Sequence, residues 1–592
     1  MAGPKIIVVG GGLAGLAATI KIAEAGASVD LFSIVPVKRS HSVCAQGGIN
    51  AAMNRKGEGD TPWKHFDDTI YGGDFLANQT PVKAMCEAAP AIINLLDRMG
   101  VPFNRTPEGQ LDFRRFGGTL YNRTAFAGAT TGQQLLYALD EQVRRFESEN
   151  KVTKFEGWEF LSAIVDSKGD CRGITALDLR TMELRAFAAD AVILATGGIG
   201  AIFGKSTNSV VCTGSAQSAV FQQGAYYANG ELIQVHPTTI PGEDKLRLMS
   251  ESARGEGGRI WVPRTVGDKR EARQIPETDR FYFLEEWYPK YGNLVPRDIA
   301  TRAIYKVVYE QGLGIDGQPM VYLDLSHIDR ATLDHKLGGI LEIYEKFVGV
   351  DPHDHPMKIF PGMHYTMGGL WVDFDQMTNI PGLFAAGECE YQYHGANRLG
   401  ANSLLSCIYA GFVSGPKAIE YAKNVPRIED DGGAAAELAR QAKLNAELMK
   451  NEGTENPFKL WRELGETMTK HATVTRINAG LLEADEKIVE LQERYKNISL
   501  ADRSQWANTS FAFTRQLKNM LELARVIVKG AYLRDESRGA HYKPEFPERD
   551  DTHFLKTSKA SFTGTIDGPR IVWEEVDTQF IKPRPRRYDV AK

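Results

Sequence analysis

The chain is short of cysteine, of basic charge and of long apolar runs. Its cysteines, Cys44, Cys86, Cys171, Cys212, Cys389 and Cys407, are scattered, with no C-x-x-C and no Cys/His pair at metal-site spacing. No zinc site or iron–sulfur cluster is therefore expected within it. So low a cysteine density suits a reducing compartment. Lysine plus arginine (70) fall short of aspartate plus glutamate (75), for a formal net charge of -5, which argues against nucleic acid as a partner. The most apolar stretches, 6–20, 191–204 and 399–416, are short or broken by Gly, Asn and Ser, so no spanning helix is expected. The first residues lead into a strand with no charged segment and cleavable apolar run before it, so secretion is not expected.

What is present suits a globular protein of several domains: 592 residues, 43% hydrophobic and 24% charged, enough chain for about three to five cores. Lys5-Ile-Ile-Val-Val9 is a β-branched run of the kind buried on both faces of a parallel sheet. Gly10-Gly-Gly-Leu-Ala-Gly15 follows, then a helical stretch from Leu16 to Ala25 and a second strand from Ser28 to Phe32. G-x-G-x-x-G is weak alone, but between a strand and a helix it brings backbone N–H groups to a pyrophosphate at a helix N-terminus. The acidic residue that holds a ribose in nicotinamide enzymes is missing, because its place falls on Ser33.

Farther on, helices are predicted over Pro81 to Met99 and Thr131 to Arg145, and short strands over 152–190. Asp190-Ala-Val-Ile-Leu-Ala-Thr-Gly-Gly198 reads as another buried strand running into a Thr-Gly-Gly turn. Composition changes from His236 to Phe360, with more Arg, Tyr, Pro and Trp and less strand patterning, which reads as an insertion. The nucleotide-fold pattern resumes at Leu383-Phe-Ala-Ala-Gly-Glu388, where Glu388 offers the carboxylate that Ser33 lacks. Leu481, Ala484, Ile488, Leu491 and Tyr495, then Phe513, Leu517, Leu521, Ala524 and Val528, recur at helical spacing and predict a small bundle. The tail is rich in Pro, Arg and Asp and is expected to wrap the surface or meet a partner. The expected class is α/β: a Rossmann-like nucleotide-binding domain (1–235 and 361–416), an inserted α+β capping domain (236–360), a helical domain (417–536) and an extended tail (537–592).

Five further segments set His or Arg beside glycine or proline: Val235-His-Pro-Thr238, Ser250-Glu-Ser-Ala-Arg-Gly-Glu-Gly-Gly258, Val295-Pro-Arg-Asp298, Gly362-Met-His-Tyr-Thr-Met-Gly-Gly369 and Tyr393-His-Gly-Ala-Asn-Arg-Leu-Gly-Ala-Asn-Ser403. Singly, each is more often a surface or helix-end feature. Together, arginines and histidines in one pocket suit a small dianion, because the guanidinium fork pairs with a carboxylate.

With these segments, the glycine turn, Arg39-Ser-His-Ser-Val-Cys-Ala-Gln-Gly-Gly48 and Glu536-Ser-Arg-Gly-Ala-His541, the chain resembles, over nearly its whole length, the flavoprotein subunits of succinate dehydrogenase and fumarate reductase. The wording is most similar to that of the menaquinone-linked enzymes of Gram-positive bacteria. The resemblance implies FAD bonded covalently to His41. It matches Gly10, Gly12, Gly15, Glu388, Ser403 and Leu404 to FAD contacts, and Ser33, Ser40, Ser42, Gln46, Gly47, Gly48, Thr196, Gly197 and Asn402 are expected as further ones. His236, Ser250, His364 and Arg398 match dicarboxylate ligands. Arg297 matches the proton-transferring residue, with Glu251 and Arg254 as its relay. No metal is expected.

The resemblance also implies succinate oxidation, an iron–sulfur subunit, a membrane-anchor cytochrome b-type subunit, a quinone (menaquinone by the wording), and a peripheral place on the cytoplasmic side of the cell membrane. Physiological fumarate reduction is an alternative, since both directions use the same residues. A soluble L-aspartate oxidase-like enzyme is a more distant one, which His41 argues against. Two positions depart from the family pattern: Ser250 replaces a common Thr, and Ser215 replaces a common acidic FAD contact.

Overall fold

The computed structural model describes residues 3–242, 245–425 and 432–588. Strands Leu383–Ala385, Ala191–Leu194, Lys5–Val9, Ser28–Ser33 and Val152–Glu156 line up in that order as one parallel sheet. Helix Leu13–Glu24 covers one face, and helix Asn402–Asn424 packs on it closely because Gly411 and Gly415 leave no side chain between the two backbones. Burial of the sheet on both faces explains why its strands read as unbroken apolar runs. The predicted helices form as Gln79–Arg98 and Thr131–Ser148, and 152–190 forms strands Trp158–Val165, Cys171–Asp178 and Leu184–Ala188 beside the sheet.

The segment after 233 holds more strand than its sequence suggested. A second sheet, antiparallel throughout, runs Arg247–Leu248, Ile233–Ile240, Met357–Thr366, Val321–Asp324, Arg259–Pro263 and Arg280–Phe281. Its strands are short or interrupted by Pro and Gly, and several are buried along their whole length, which erases the alternation that marks a half-buried strand. Strands Ile233–Ile240 and Met357–Thr366 also run across the expected junctions at 235/236 and 360/361.

The later helices, Pro457–His471, Asn478–Tyr495 and Thr509–Leu533, bury the stripes that predicted them. Their apolar residues do not close on one another alone. Leu464, Leu481, Ile488 and Leu521 share one core with Ile7, Val9, Val192 and Leu194 of the parallel sheet. The tail is likewise more than a surface wrap. Lys556–Ser561 and Arg570–Glu575 form a sheet with Tyr227–Ala228 and Gly369–Leu370. Arg534, Glu536, Arg538 and His541 are fully buried, with Glu536 accepting from both arginines at 3.1 and 2.8 Å.

Candidate active site

One cleft opens at the C-terminal ends of the parallel strands, the position where open α/β sheets hold ligands. Gly10, Gly12, Ser33, Ser40, His41, Ser42, Thr196, Gly197, Ser215 and Glu388 all line it. Gly10 has φ +122°, and a Cβ there would lie 2.0 Å from the carbonyl oxygen of Ala195, so only glycine carries the chain through this turn. Gly15 sits beneath the cleft, where a Cβ would lie 1.8 Å from the oxygen of Gly10. The turn thus lays backbone N–H groups and a helix N-terminus along the cleft floor. Glu388 accepts from the backbone N–H of Thr366 at 3.1 Å, and burial pushes its carboxyl up to about 7.

His41 begins a short 3-10 turn, His41–Cys44. Its Nδ1 accepts the backbone N–H of Ser209 at 3.1 Å, and its Nε2 lies 3.3 Å from the side-chain amide of Asn208. Burial, with Lys245 nearby, lowers its pKa to about 4, so the ring is neutral at pH 7. An imidazole substituted on Nε2 keeps its lone pair on Nδ1, and that is what the Ser209 N–H requires. The glycine cradle, the carboxylate of Glu388 and this ring orientation fit FAD joined to His41.

The other expected contacts divide. Asn402, Ser403 and Leu404 form the first turn of a helix. The Asn402 side chain points into a buried network with Asn50, His65 and Thr69. Gln46, Gly47 and Gly48 do not line the cleft; Arg114 donates to the carbonyl of Gly47 and Gln46 donates to that of Leu248. Ser215 Oγ accepts from Asn519 at 2.8 Å.

Next to this cleft lies a buried cationic cluster. Arg297 donates Nε to Glu251 Oε2 at 2.9 Å and Nη1 to Gln234 at 3.0 Å. Arg254 donates Nη2 to the other oxygen of Glu251 at 2.6 Å and Nη1 to the carbonyls of Asn293 and Val295. The i, i+3 spacing of Glu251 and Arg254 brings them together at the start of helix Ser252–Gly255. Gly117 makes room, since a Cβ there would lie 2.0 Å from Glu251 Oε1. Burial alone would raise the Glu251 carboxyl, but Arg297 and Arg254 hold it below its usual value.

His236 and His364 meet edge to face, 4.9 Å between ring centres. Burial, then Arg297, keeps both rings neutral, well below their usual pKa. Arg398 lies over the ring of Tyr365, and burial together with Arg297 brings it down to about 9. Its Nε and the Nε2 of His236 are buried without a protein partner. Three guanidiniums against one carboxylate give the cluster a positive excess that complements a dianion. Ser250 is buried at the same place, its hydroxyl bonded to Ser252.

Some residues of this arrangement escaped the sequence reading. Gln234 also donates to Asn397 and to the carbonyl of Arg398, tying Arg297 to Arg398. Its signal was its place two before His236 on a strand, hence on the same face. Thr207, Asn208 and Ser209 hold His364 and His41 from a loop that carries no pattern of its own.

Comparison with known proteins gives the same picture. Residues 5–404 match the FAD binding domain family, and 461–588 match the fumarate reductase flavoprotein C-terminal family. The succinate dehydrogenase flavoprotein subunit of Bacillus subtilis is 63% identical, with 100% of both chains covered. The fumarate reductase flavoprotein subunit of Escherichia coli is 34% identical over 98% of this chain and 95% of its own. A solved E. coli quinol fumarate reductase superposes with a TM-score of 0.92 at 32% identity, covering 100% of both chains. The chain therefore belongs to the family of succinate dehydrogenase and fumarate reductase flavoprotein subunits.

Proposed function

We propose that the chain is the catalytic flavoprotein subunit of a membrane-bound succinate:quinone oxidoreductase, oxidising succinate to fumarate. The observation that carries this reading is the buried Arg254–Glu251–Arg297 chain beside His236, His364 and Arg398. In this reading FAD, covalently attached to His41 and held by Gly10, Gly12, Gly15, Glu388 and the first turn of helix Asn402–Asn424, supplies the hydride acceptor. Arg398, His236, His364 and Ser250 hold the two carboxylates. Segment 236–360 forms the cap that keeps water from the pocket.

Removing a hydride from one methylene carbon leaves a proton to be taken from the other. A guanidinium is ordinarily protonated, so Arg297 serves as acceptor only as part of a relay. As the carbon-bound proton arrives at Arg297, another leaves along its hydrogen bond to Glu251, and Arg254 on the far oxygen of Glu251 continues the path. Gln234 fixes Arg297 from the opposite side. Run backwards, the same groups protonate fumarate.

Among the described residues no helix is long and apolar enough to cross a membrane, and no group of His, Cys, Asp and Glu could hold a metal. The proposed complex accordingly includes an iron–sulfur subunit, a cytochrome b-type membrane anchor and a quinone, menaquinone in this reading. The chain would sit peripherally on the cytoplasmic side of the cell membrane.

His41→Ser tests the assignment. Covalent attachment raises the reduction potential of a flavin, which a donor as poor as a saturated dicarboxylate requires. The variant is expected to retain FAD, to lose flavin fluorescence from the denatured gel band, and to lose succinate oxidation far more than fumarate reduction. Equal retention of both activities, assayed across acceptors of different potential, would sink the reading.

A further inference from the structure

The segment that carries Arg297 is held from two sides, and the second holder is the far C-terminal part of the chain. On one side Arg254 bonds the carbonyls of Asn293 and Val295. On the other, both Nη nitrogens of Arg586 bridge the two oxygens of Asp298, Nη2 to Oδ1 at 3.0 Å and Nη1 to Oδ2. Asp298 is the immediate neighbour of Arg297, and both members of its pair with Arg586 are buried. Arg302 adds a third contact to Asp298 at 3.3 Å.

Tyr588 is buried as well, its ring 5.1 Å from that of Tyr291, just before the Asn293 and Val295 carbonyls, and 5.7 Å from that of Tyr71. The stretch of tail around it is tied as well to helix Pro62–Gly72. Arg587 exchanges backbone hydrogen bonds with the hydroxyl of Tyr71 at 2.6 and 3.0 Å, and Arg584 pairs with Asp67 at 2.7 Å. Both Asp67 and Tyr71 lie on helix Pro62–Gly72, outside the 236–360 segment. Residues 584–588 thus bridge the nucleotide-binding side to the piece of chain that presents Arg297 and receives Arg254.

We propose that residues 584–588 are a positioning strap for proton transfer, with Arg586 fixing Arg297 through Asp298. The proposal rests on the assignment of Arg297 as the proton-transferring residue. Arg586 bonds Asp298 rather than Arg297 itself, and it acts by holding helix Arg297–Tyr305 at its first turn. A bidentate Arg–carboxylate pair sets both distance and orientation, which one point charge cannot do.

The test uses the purified complex carrying Arg586→Gln, Arg586→Lys, or a chain ending after Pro583. Arg297→Gln in the same assay tests the underlying assignment; the ratio of the Arg586-variant rates to the unaltered rate tests the strap. Arg586→Gln is expected to lower kcat by about 10- to 100-fold, since small misplacements of a reacting group cost that much, while KM changes by less than about threefold. The solvent deuterium isotope effect on kcat should rise as proton transfer becomes limiting. Arg586→Lys should recover part of the rate, and the shortened chain should behave like Arg586→Gln. The denatured-band flavin fluorescence should stay near that of the unaltered complex; the melting temperature falls because Asp298 loses a buried partner, so rates are read well below it. The proposal is overturned if Arg586→Gln keeps kcat within about twofold, if the isotope effect is unchanged, or if the flavin band and the rate fall in parallel, which would assign Arg586 to folding alone.

Discussion

The nucleotide cleft and the neighbouring cationic pocket solve different problems with different parts of the chain. The cleft is made of backbone: the Gly10 to Gly15 turn, the end of a helix and the edges of parallel strands. The pocket is made of long side chains, Arg254, Arg297 and Arg398, each buried and each oriented by a named partner. Backbone donors are the same whatever the residue, so the cleft depends on where glycine is permitted. A side-chain pocket depends on the identity of each member. Substitutions should therefore separate the two regions, with pocket changes costing turnover and cleft changes costing cofactor.

The largest effect is expected in the pocket. Arg297→Gln removes the proton acceptor and the Nη1 contact to Gln234 while keeping an amide nitrogen where Nε bonds Glu251, and kcat should fall about 1000-fold. Glu251→Gln cuts the relay and leaves Arg254 and Arg297 without their shared countercharge, for a loss of about 100-fold. Both variants should keep their flavin absorbance. If Arg297→Gln held even about a tenth of the unaltered kcat in succinate oxidation, proton transfer would have to be reassigned.

The cleft breaks differently. In Gly10→Ala the new methyl meets the backbone of Ala195 at 2.0 Å in a conformation that L-residues rarely adopt. Flavin content per chain should drop below about a tenth of the unaltered value, because the turn must move to relieve the strain. Turnover per bound flavin should change little. A full complement of flavin, read from the absorbance of the purified variant, would show that the cradle is not set by this glycine.

The same contrast governs what could be read from sequence. The βαβ unit is contiguous, so strand, turn and helix announce themselves within 5–33, and the structure forms Lys5–Val9, Leu13–Glu24 and Ser28–Ser33 there. The cationic cluster is assembled from positions between Gln234 and Arg398, and no local pattern says that they meet; the family resemblance supplied that. What stayed hidden is the support around the chemistry. Asn208 and Ser209 hold His41 from a loop without periodicity. Arg586 reaches Asp298 across 288 residues of chain. The short strands of 236–360 were obscured because burial along nearly their whole length removes alternation.

The smallest expected effect concerns two kinds of buried carboxylate. Glu251, between two arginines, is held below its usual pKa despite burial. Glu390, near the cleft, has no cation against it among the described residues; burial raises its carboxyl to about 8, although the backbone N–H of Gln392 bonds it at 2.7 Å. The linkage signs are opposite. A lowered folded pKa gives Glu251 a stabilising contribution that is present above about pH 4.5 and lost as the pH falls through its folded value. A raised folded pKa makes the contribution of Glu390 complete below about pH 4.5 and lost as the pH rises through about 8. Glu390→Gln keeps the shape and an acceptor for Gln392 but cannot ionise. Its melting temperature should match the unaltered chain near about pH 5 and exceed it by about 1–3 °C near about pH 9. Scanning calorimetry at the two pH values decides it, and a difference that does not grow with pH would mean that some neighbouring group supplies the charge compensation absent around Glu390.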